Sequence, residues 1–264
     1  MQLQNTLLWK ISNTQNQYTS YLFGTMHLWD ERAIKLMEKV APFINETSIF
    51  AAETAIGELN AMSNEVMFLP ENKTLSDFFT PKKILKIKQN VAKILGVPYA
   101  QIECFQPMVL TNFFAAKAVS SHGEYRIDDM FWQFAASAQK TCIGVESVQE
   151  QMEIFQKIPL SFQCKQLLDT IKNVGKHSRQ YKKMALLYEK GEILALYHHA
   201  KASMGKLRKP LVYDRNILMA DRISDLVTNQ SAFVAIGAGH LAGQKGIINL
   251  LRKKGFTVQK QDFE

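Results

Sequence analysis

The chain carries one short motif twice, in which a glycine precedes a histidine by three residues. The first copy, GTMH at 24–27, ends in His27, and the second, GAGH at 237–240, ends in His240. Each copy follows a short apolar run typical of a buried strand, and we expect the glycine to let the backbone turn sharply there. Because imidazole nitrogens bind divalent metal ions, the repeat indicates two halves of one site.

Two carboxylates stand at the ends of two further apolar runs. Residues 48–52 form a predicted strand that ends at Glu53, and residues 142–145 form another that ends at Glu146. Since the carboxyl ends of parallel strands share one edge of a sheet, both imidazoles and both carboxylates should converge there. A divalent ion held by three of these groups keeps a position open for water, and a remaining carboxylate can act as general base.

A structural interpretation of the same residues stays open. A histidine after a glycine turn is often a satisfied loop or core residue, and a glutamate at a strand end often caps the following helix. The recurrence of histidine at one offset from glycine favours the functional interpretation.

The remaining pattern predicts an α/β fold with a central mixed, largely parallel sheet flanked by helices. The chain should form a single domain over 1–264 that contains a helical insertion or cap at 55–138. The predicted elements are an N-terminal β-hairpin at 7–11 and 21–23, helices at 33–44, 148–197 and 247–254, and a last strand at 257–259.

Composition indicates a soluble chain with a sizeable core, since 47% of its 264 residues are apolar. No run approaches the ~20 apolar residues that span a bilayer, and no secretory signal is visible, so we expect no membrane segment and a cytoplasmic protein. A signal peptide trimmed from the sequence would instead make it periplasmic or secreted. The three cysteines show no CxxC spacing and indicate buried thiols in a reducing compartment.

The formal net charge of +8 comes from one segment. Residues 172–209 hold ten basic and two acidic side chains, and the rest of the chain is balanced. Without a nucleic-acid motif we interpret this segment as the solvated face of ordinary helices, so no nucleic acid is expected as a partner. A basic rim that attracts acidic substrates is an intermediate interpretation.

Six elements in order resemble the TraB/GumN/PrgY family, which includes the Tiki proteases. They are residues 21–28 (YLFGTMHL), 127–128 (ID), 144–147 (GVES), 188–192 (YEKGE), 214–216 (DRN) and 234–246 (VAIGAGHLAGQKG). Val145 stands where the family has leucine, and Arg126 where glycine is usual. The resemblance implies a bacterial member with an α/β fold related to the erythromycin esterase and ChaN-like group and, as in the Tiki branch, metal-dependent peptidase activity.

We therefore predict a metal-dependent hydrolase, a peptidase, that acts on a peptide or protein substrate. His27, Glu53 and His240 are the predicted ligands of a divalent ion (Mn, Co or Zn). The alternative is a non-catalytic protein that binds or sequesters a peptide, as in the pheromone-shutdown branch of the family.

Four further residues have predicted roles beside the metal. Glu146 is a general base or fourth ligand, and Arg215 stabilises an oxyanion through its permanent charge, unless it merely pairs with Asp214 or Asp221. Tyr188 and Asn216 orient substrate or ligand side chains, or are structural hydrogen-bonding residues.

Overall fold

The computed structural model describes residues 5–13, 18–26, 31–56, 67–119 and 126–263. The chain divides into two compact units. The sheet unit comprises Met1–Asn60, Gly123–Val148 and Met184–Glu264, and the helical unit comprises Ala61–His122 and Gln149–Lys183.

Six described strands form one mixed sheet in the order β4-β3-β5-β2-β1-β6. The strands β2, β3, β4 and β5 run parallel, whereas β1 is antiparallel to both β2 and β6. The predicted hairpin and the mixed, largely parallel sheet are therefore confirmed. The six strands are β1 Leu8–Ser12, β2 Ser20–Thr25, β3 Ile49–Thr54, β4 Thr141–Glu146, β5 Ala232–Gly237 and β6 Thr257–Lys260.

Ten α-helices lie within the described residues, which completes the α/β class. Short 3-10 and π segments join some of them, including a π turn at Lys209–Asp214 just before the helix that begins at Arg215. The helices are α1 Glu31–Asn45, α2 Pro81–Asn90, α3 Pro107–Val119, α4 Ile127–Ser137, α5 Val148–Gln156, α6 Leu160–Lys172, α7 Val174–Glu189, α8 Ile193–Met204, α9 Arg215–Asn229 and α10 Ile247–Lys253. No helix in these ranges combines the length and the apolar character needed to cross a membrane.

The inner strands β2, β3 and β5 are buried over most of their length because both faces of the sheet are covered. On one face the ring of Phe233 stacks 6.0 Å from Phe50 and 6.1 Å from Phe23, and Phe131 of α4 packs edge-on against Phe233. On the other face the core contains Leu22, Val234 and side chains of α9 and α10. Burial of both faces therefore fixes the register of the strands that lead to the candidate site.

The helical unit has a core of its own, in which Leu110 and Phe114 of α3 meet Leu167 of α6. The observed division differs from the predicted insertion at 55–138. Helix α4 belongs to the sheet unit because Phe131 packs against the sheet, and residues 149–183 join the helical unit through contacts that are distant in sequence.

We expect the substitution Phe233→Ala to lower the free energy of unfolding by about 3–5 kcal/mol, because it removes a fully buried ring from between Phe23 and Phe50. Urea denaturation followed by circular dichroism measures this loss. As a control, Leu186→Ala removes a side chain that is 55% exposed, and its effect should stay within about 0.5 kcal/mol. Equal losses in the two variants would contradict the packing described.

Candidate functional site

The carboxyl ends of four parallel strands meet at one edge of the sheet. Thr25 of β2 lies opposite Gly237 of β5, and Thr54 of β3 lies opposite Glu146 of β4. The two glycine-histidine motifs therefore leave adjacent strands in nearly the same register. His27 lies outside the described residues, so of the predicted metal ligands Glu53 and His240 have a described position.

Arg215, the first residue of α9, joins the ends of β3 and β4. Its Nη2 donates to Glu53 Oε1 at 2.5 Å and to Glu146 Oε2 at 2.6 Å, and its Nε donates to Glu146 Oε2 at 2.9 Å. Arg215 as a whole is only 8% exposed. The partners considered from the sequence are used elsewhere, since Asp214 pairs with Lys209 and Asp221 with Lys254.

The environment of Glu53 keeps its side chain charged. Burial disfavours the carboxylate, but His240, Arg215 and the Gly237 N–H outweigh this effect and lower the pKa of Glu53 to about 2. The Gly237 N–H donates to Glu53 Oε2 at 3.0 Å. Burial also opposes the charge of Arg215, yet the two carboxylates raise its pKa. Glu53 and Arg215 are therefore both charged near neutral pH.

The imidazole of His240 is held in one tautomer by Asn216. The Asn216 Nδ2 donates to the carbonyl oxygens of His240 at 3.2 Å and Lys245 at 2.6 Å, which uses both amide hydrogens. The Asn216 Oδ1, 2.6 Å from His240 Nδ1, must then accept, so Nδ1 carries the proton and Nε2 the lone pair. Burial lowers the pKa of His240 to about 4, so the ring is neutral at pH 7.

The glycines of the repeated motif allow close approach and are not needed for a sharp turn. The backbone at Gly237 is extended, with φ −51 and ψ 128. A Cβ on Gly237 would lie 3.2 Å from Glu53 Oε2, and one on Gly24 would lie 2.8 Å from Leu241 Cδ1 and 3.1 Å from Ala238 Cβ. The expected turn is thus replaced by tight packing between the two motifs.

Tyr188 stabilises the end of β2 from α7. Its side chain is fully buried, and its hydroxyl donates to the carbonyl oxygen of Gly24 at 2.7 Å. Burial raises the pKa of this phenol well above its usual value, so it remains a donor. Gly191 ends the helix with φ 65 and donates its N–H to the Tyr188 carbonyl at 2.8 Å. These contacts match the hydrogen-bonding alternative for Tyr188.

The donor groups of the described residues can be compared with those of a divalent-metal site. Within them, no group of three or more His, Cys, Asp or Glu side chains is arranged to hold a metal ion. Nevertheless, a histidine binds a metal through Nε2 when its ring is neutral and its Nδ1–H donates to a fixed acceptor such as an amide oxygen. His240 is in this state, and the charged carboxylate of Glu53 acts on the His240 ring electrostatically. This donor pair fits two of the three protein ligands of an open divalent-metal site.

Two contributions to the site come from the backbone, and the sequence offered no side-chain signal for them. One is the Gly237 N–H that binds Glu53, and the other is the Lys245 carbonyl that orients Asn216. The predicted roles of Glu146, Arg215, Tyr188 and Asn216 in catalysis or substrate binding stay predictions.

Comparison with known proteins supports the resemblance drawn from the motifs. The model of the TraB/PrgY/gumN family matches residues 7–260. The metalloprotease TIKI1 of Danio rerio is 25% identical over 317 aligned residues, which cover 97% of this chain and 63% of that protein. The metalloprotease TIKI2 of Danio rerio is 45% identical over 56 residues, 20% of this chain and 11% of that protein. No solved structure matches.

Arg215→Met should lower the free energy of unfolding by about 3–5 kcal/mol, because it removes the cation from two buried or half-buried carboxylates. Chemical denaturation at neutral pH gives the value. Combining it with Glu53→Gln and Glu146→Gln should recover part of the loss, since no charge is then left behind. If the triple variant were less stable than Arg215→Met alone, repulsion between the carboxylates would not be the cause.

The tautomer of His240 can be read directly by nitrogen NMR of protein with labelled histidine. At pH 7 we expect a protonated Nδ1 and an unprotonated Nε2, because Asn216 Oδ1 can only accept. Asn216→Ala should let the ring populate both tautomers. Asn249→Ala removes a partly exposed asparagine that donates to the Gln244 carbonyl, and it should leave the His240 signals unchanged. A protonated Nε2 in the unsubstituted protein would refute the assignment.

Proposed function

Because the chain belongs to the TraB/PrgY/gumN family, we propose that it is a metal-dependent hydrolase that cleaves peptide bonds. The observation that carries the proposal is a neutral His240 with a fixed tautomer, beside the charged Glu53 at the carboxyl edge of a parallel sheet. The relative TIKI1, which bears the name metalloprotease, supports the reaction class, although the chain spans less than two thirds of its length.

We propose His240 Nε2, the Glu53 carboxylate and His27 as the ligands of one divalent ion, with manganese, cobalt or zinc as candidates. When bound, such an ion supplies Lewis-acid chemistry and lowers the pKa of water toward neutrality. Asn216 orients the ring of His240, and the Gly237 N–H orients the carboxylate of Glu53. Both ligands are thus held before any metal arrives, which reduces the entropy lost on binding.

Arg215 and Glu146 are proposed to position the proposed metal ligands. Arg215 holds Glu53 on one side and both oxygens of Glu146 on the other. The predicted oxyanion role of Arg215 would use its second Nη1 hydrogen, because Nε and both Nη2 hydrogens donate to the carboxylates and the first Nη1 hydrogen donates to the Leu211 carbonyl. Tyr188 and Asn216 are proposed to act through Gly24 and His240, since their polar atoms contact those residues.

The test is to measure metal content and turnover together. Protein purified without chelator should contain a divalent metal, and it should cleave members of a fluorogenic peptide library with added manganese, cobalt or zinc. His240→Ala should lose the metal and lower kcat/KM by at least about 100-fold, because even loss of an orienting partner costs 10–100-fold. Chelation should abolish turnover, and returning the metal should restore it.

The control for this experiment is His198→Ala, which removes an exposed histidine from α8 and should leave metal content and turnover unchanged. The competing function is peptide capture without cleavage. The ion pairs of Arg215 with both carboxylates favour it, because carboxylates that are already paired with a cation are less available as metal ligand or base. Peptide binding that is unchanged in His240→Ala, with no turnover in any of the three metals, would replace the hydrolase by this binding function.

A further inference from the structure

A basic cavity of about 340 Å³ opens on the sheet unit. Thr6, Leu7 and Tyr188 form part of its lining, and Lys35 and Lys39 of α1 and Lys190 after α7 line it with charge. Its volume is at the lower end of the range for ligand sites in proteins, roughly 300–1,000 Å³.

The cavity lies at the same edge of the sheet as the candidate site. Leu8 of β1 lies opposite Phe23 of the antiparallel β2, and the Gly24 N–H donates to the Leu7 carbonyl at 2.9 Å. Lys260, which also lines the cavity, ends β6 opposite Trp9 of β1. The beginning of β1 and the end of β6 therefore flank the point where β2 ends.

Tyr188 connects the cavity to the candidate site. Tyr188 is one of the residues that line the cavity, and its hydroxyl donates to the Gly24 carbonyl at the end of β2. The cavity is thus adjacent to the first glycine-histidine motif, on the side of β2 that faces away from β5.

The charge of the lining is predominantly positive. Four lysines and two carboxylates, Glu189 and Asp262, line the cavity, and Asp262 is paired with Lys260 at 2.7 Å. None of the ion pairs between described residues involves Lys35, Lys39 or Lys190. Lys35 and Lys39 stand one helical turn apart, a spacing at which like charges repel. An anionic ligand would relieve this repulsion.

We propose that the cavity binds acidic side chains of the peptide on which the candidate site acts. This proposal rests on the proposed function, because it specifies which class of peptide the proposed peptidase cleaves. Between β5, the strand that leads to His240, and β1 lie two strand spacings, about 10 Å. An extended peptide covers this distance in about three residues. A preferred substrate therefore has Asp or Glu about three residues from the cleaved bond.

Binding is tested without metal, so that it does not depend on turnover. The probes are two fluorescein-labelled eight-residue peptides that differ only in two adjacent residues, glutamate in one and glutamine in the other. Fluorescence anisotropy at low salt with chelator present should show about tenfold tighter binding of the glutamate peptide, the sum of two or three exposed charge pairs. Lys35→Gln with Lys39→Gln should reduce its affinity to that of the glutamine peptide.

A matched control makes the same change elsewhere. Lys82 and Lys86 are likewise exposed and one turn apart, on α2 of the helical unit, so Lys82→Gln with Lys86→Gln should leave the preference intact. Equal affinity for both peptides, or equal loss of preference in both double variants, would overturn the proposal.

In cleavage assays the Lys35 and Lys39 variant should lower kcat/KM for the glutamate peptide only. Absence of cleavage, with the binding preference intact, would refute the peptidase function and leave the acidic-peptide site standing.

Discussion

The ion pairs of the Arg215 guanidinium with Glu53 and Glu146 are the interaction on which the rest of the site depends. The guanidinium stands between carboxylates that arrive from two different strands, and without a cation these charges would repel each other at the ends of β3 and β4. Desolvation makes such a buried pairing a weak source of net stability. Its effect is on geometry, because it determines where the two carboxylates can lie. Arg215 is itself fixed, since Met219 and Ile223 on the same helix are buried in the core of the sheet unit.

The first turn of α9 therefore organises both halves of the site. Arg215 binds the glutamates, and the next residue, Asn216, binds the imidazole and the backbone of the second motif. The two motifs are brought together by a different means. Gly24 has no side chain to separate β2 from Ala238 and Leu241, so the ends of β2 and β5 pack closely. The same edge of the sheet is thus constrained in two ways, by close packing at the glycines and by the polar contacts of the first turn of α9.

The strands and the residues at their ends were predictable because they depend on local pattern. Apolar runs located β2 to β5 and placed Glu53 and Glu146 at strand ends, as observed. The partners of Arg215 were not predictable, since they lie 162 and 69 residues away and nearby aspartates offered equally good charges. The tautomer of His240 depends on two backbone carbonyls, which leave no trace in residue types. The division into two units likewise follows from long-range packing, and it crosses the basic segment 172–209 between residues 183 and 184.

Charge is distributed unevenly along the edge that carries the site. Two carboxylates, Glu53 and Glu146, face the single guanidinium of Arg215 beside the neutral His240, and this excess of acidic groups favours a cation beside them. The lysine-lined cavity beside β1 and β2 has the opposite sign. The ends of β3 and β4, which carry the carboxylates, lie three and four strand spacings from β1, or about 14–19 Å, which exceeds the Debye length of about 8 Å at physiological salt. The proposed partners are a metal ion for the first region and an acidic peptide for the second, and screening over this distance lets each attraction act without cancelling the other.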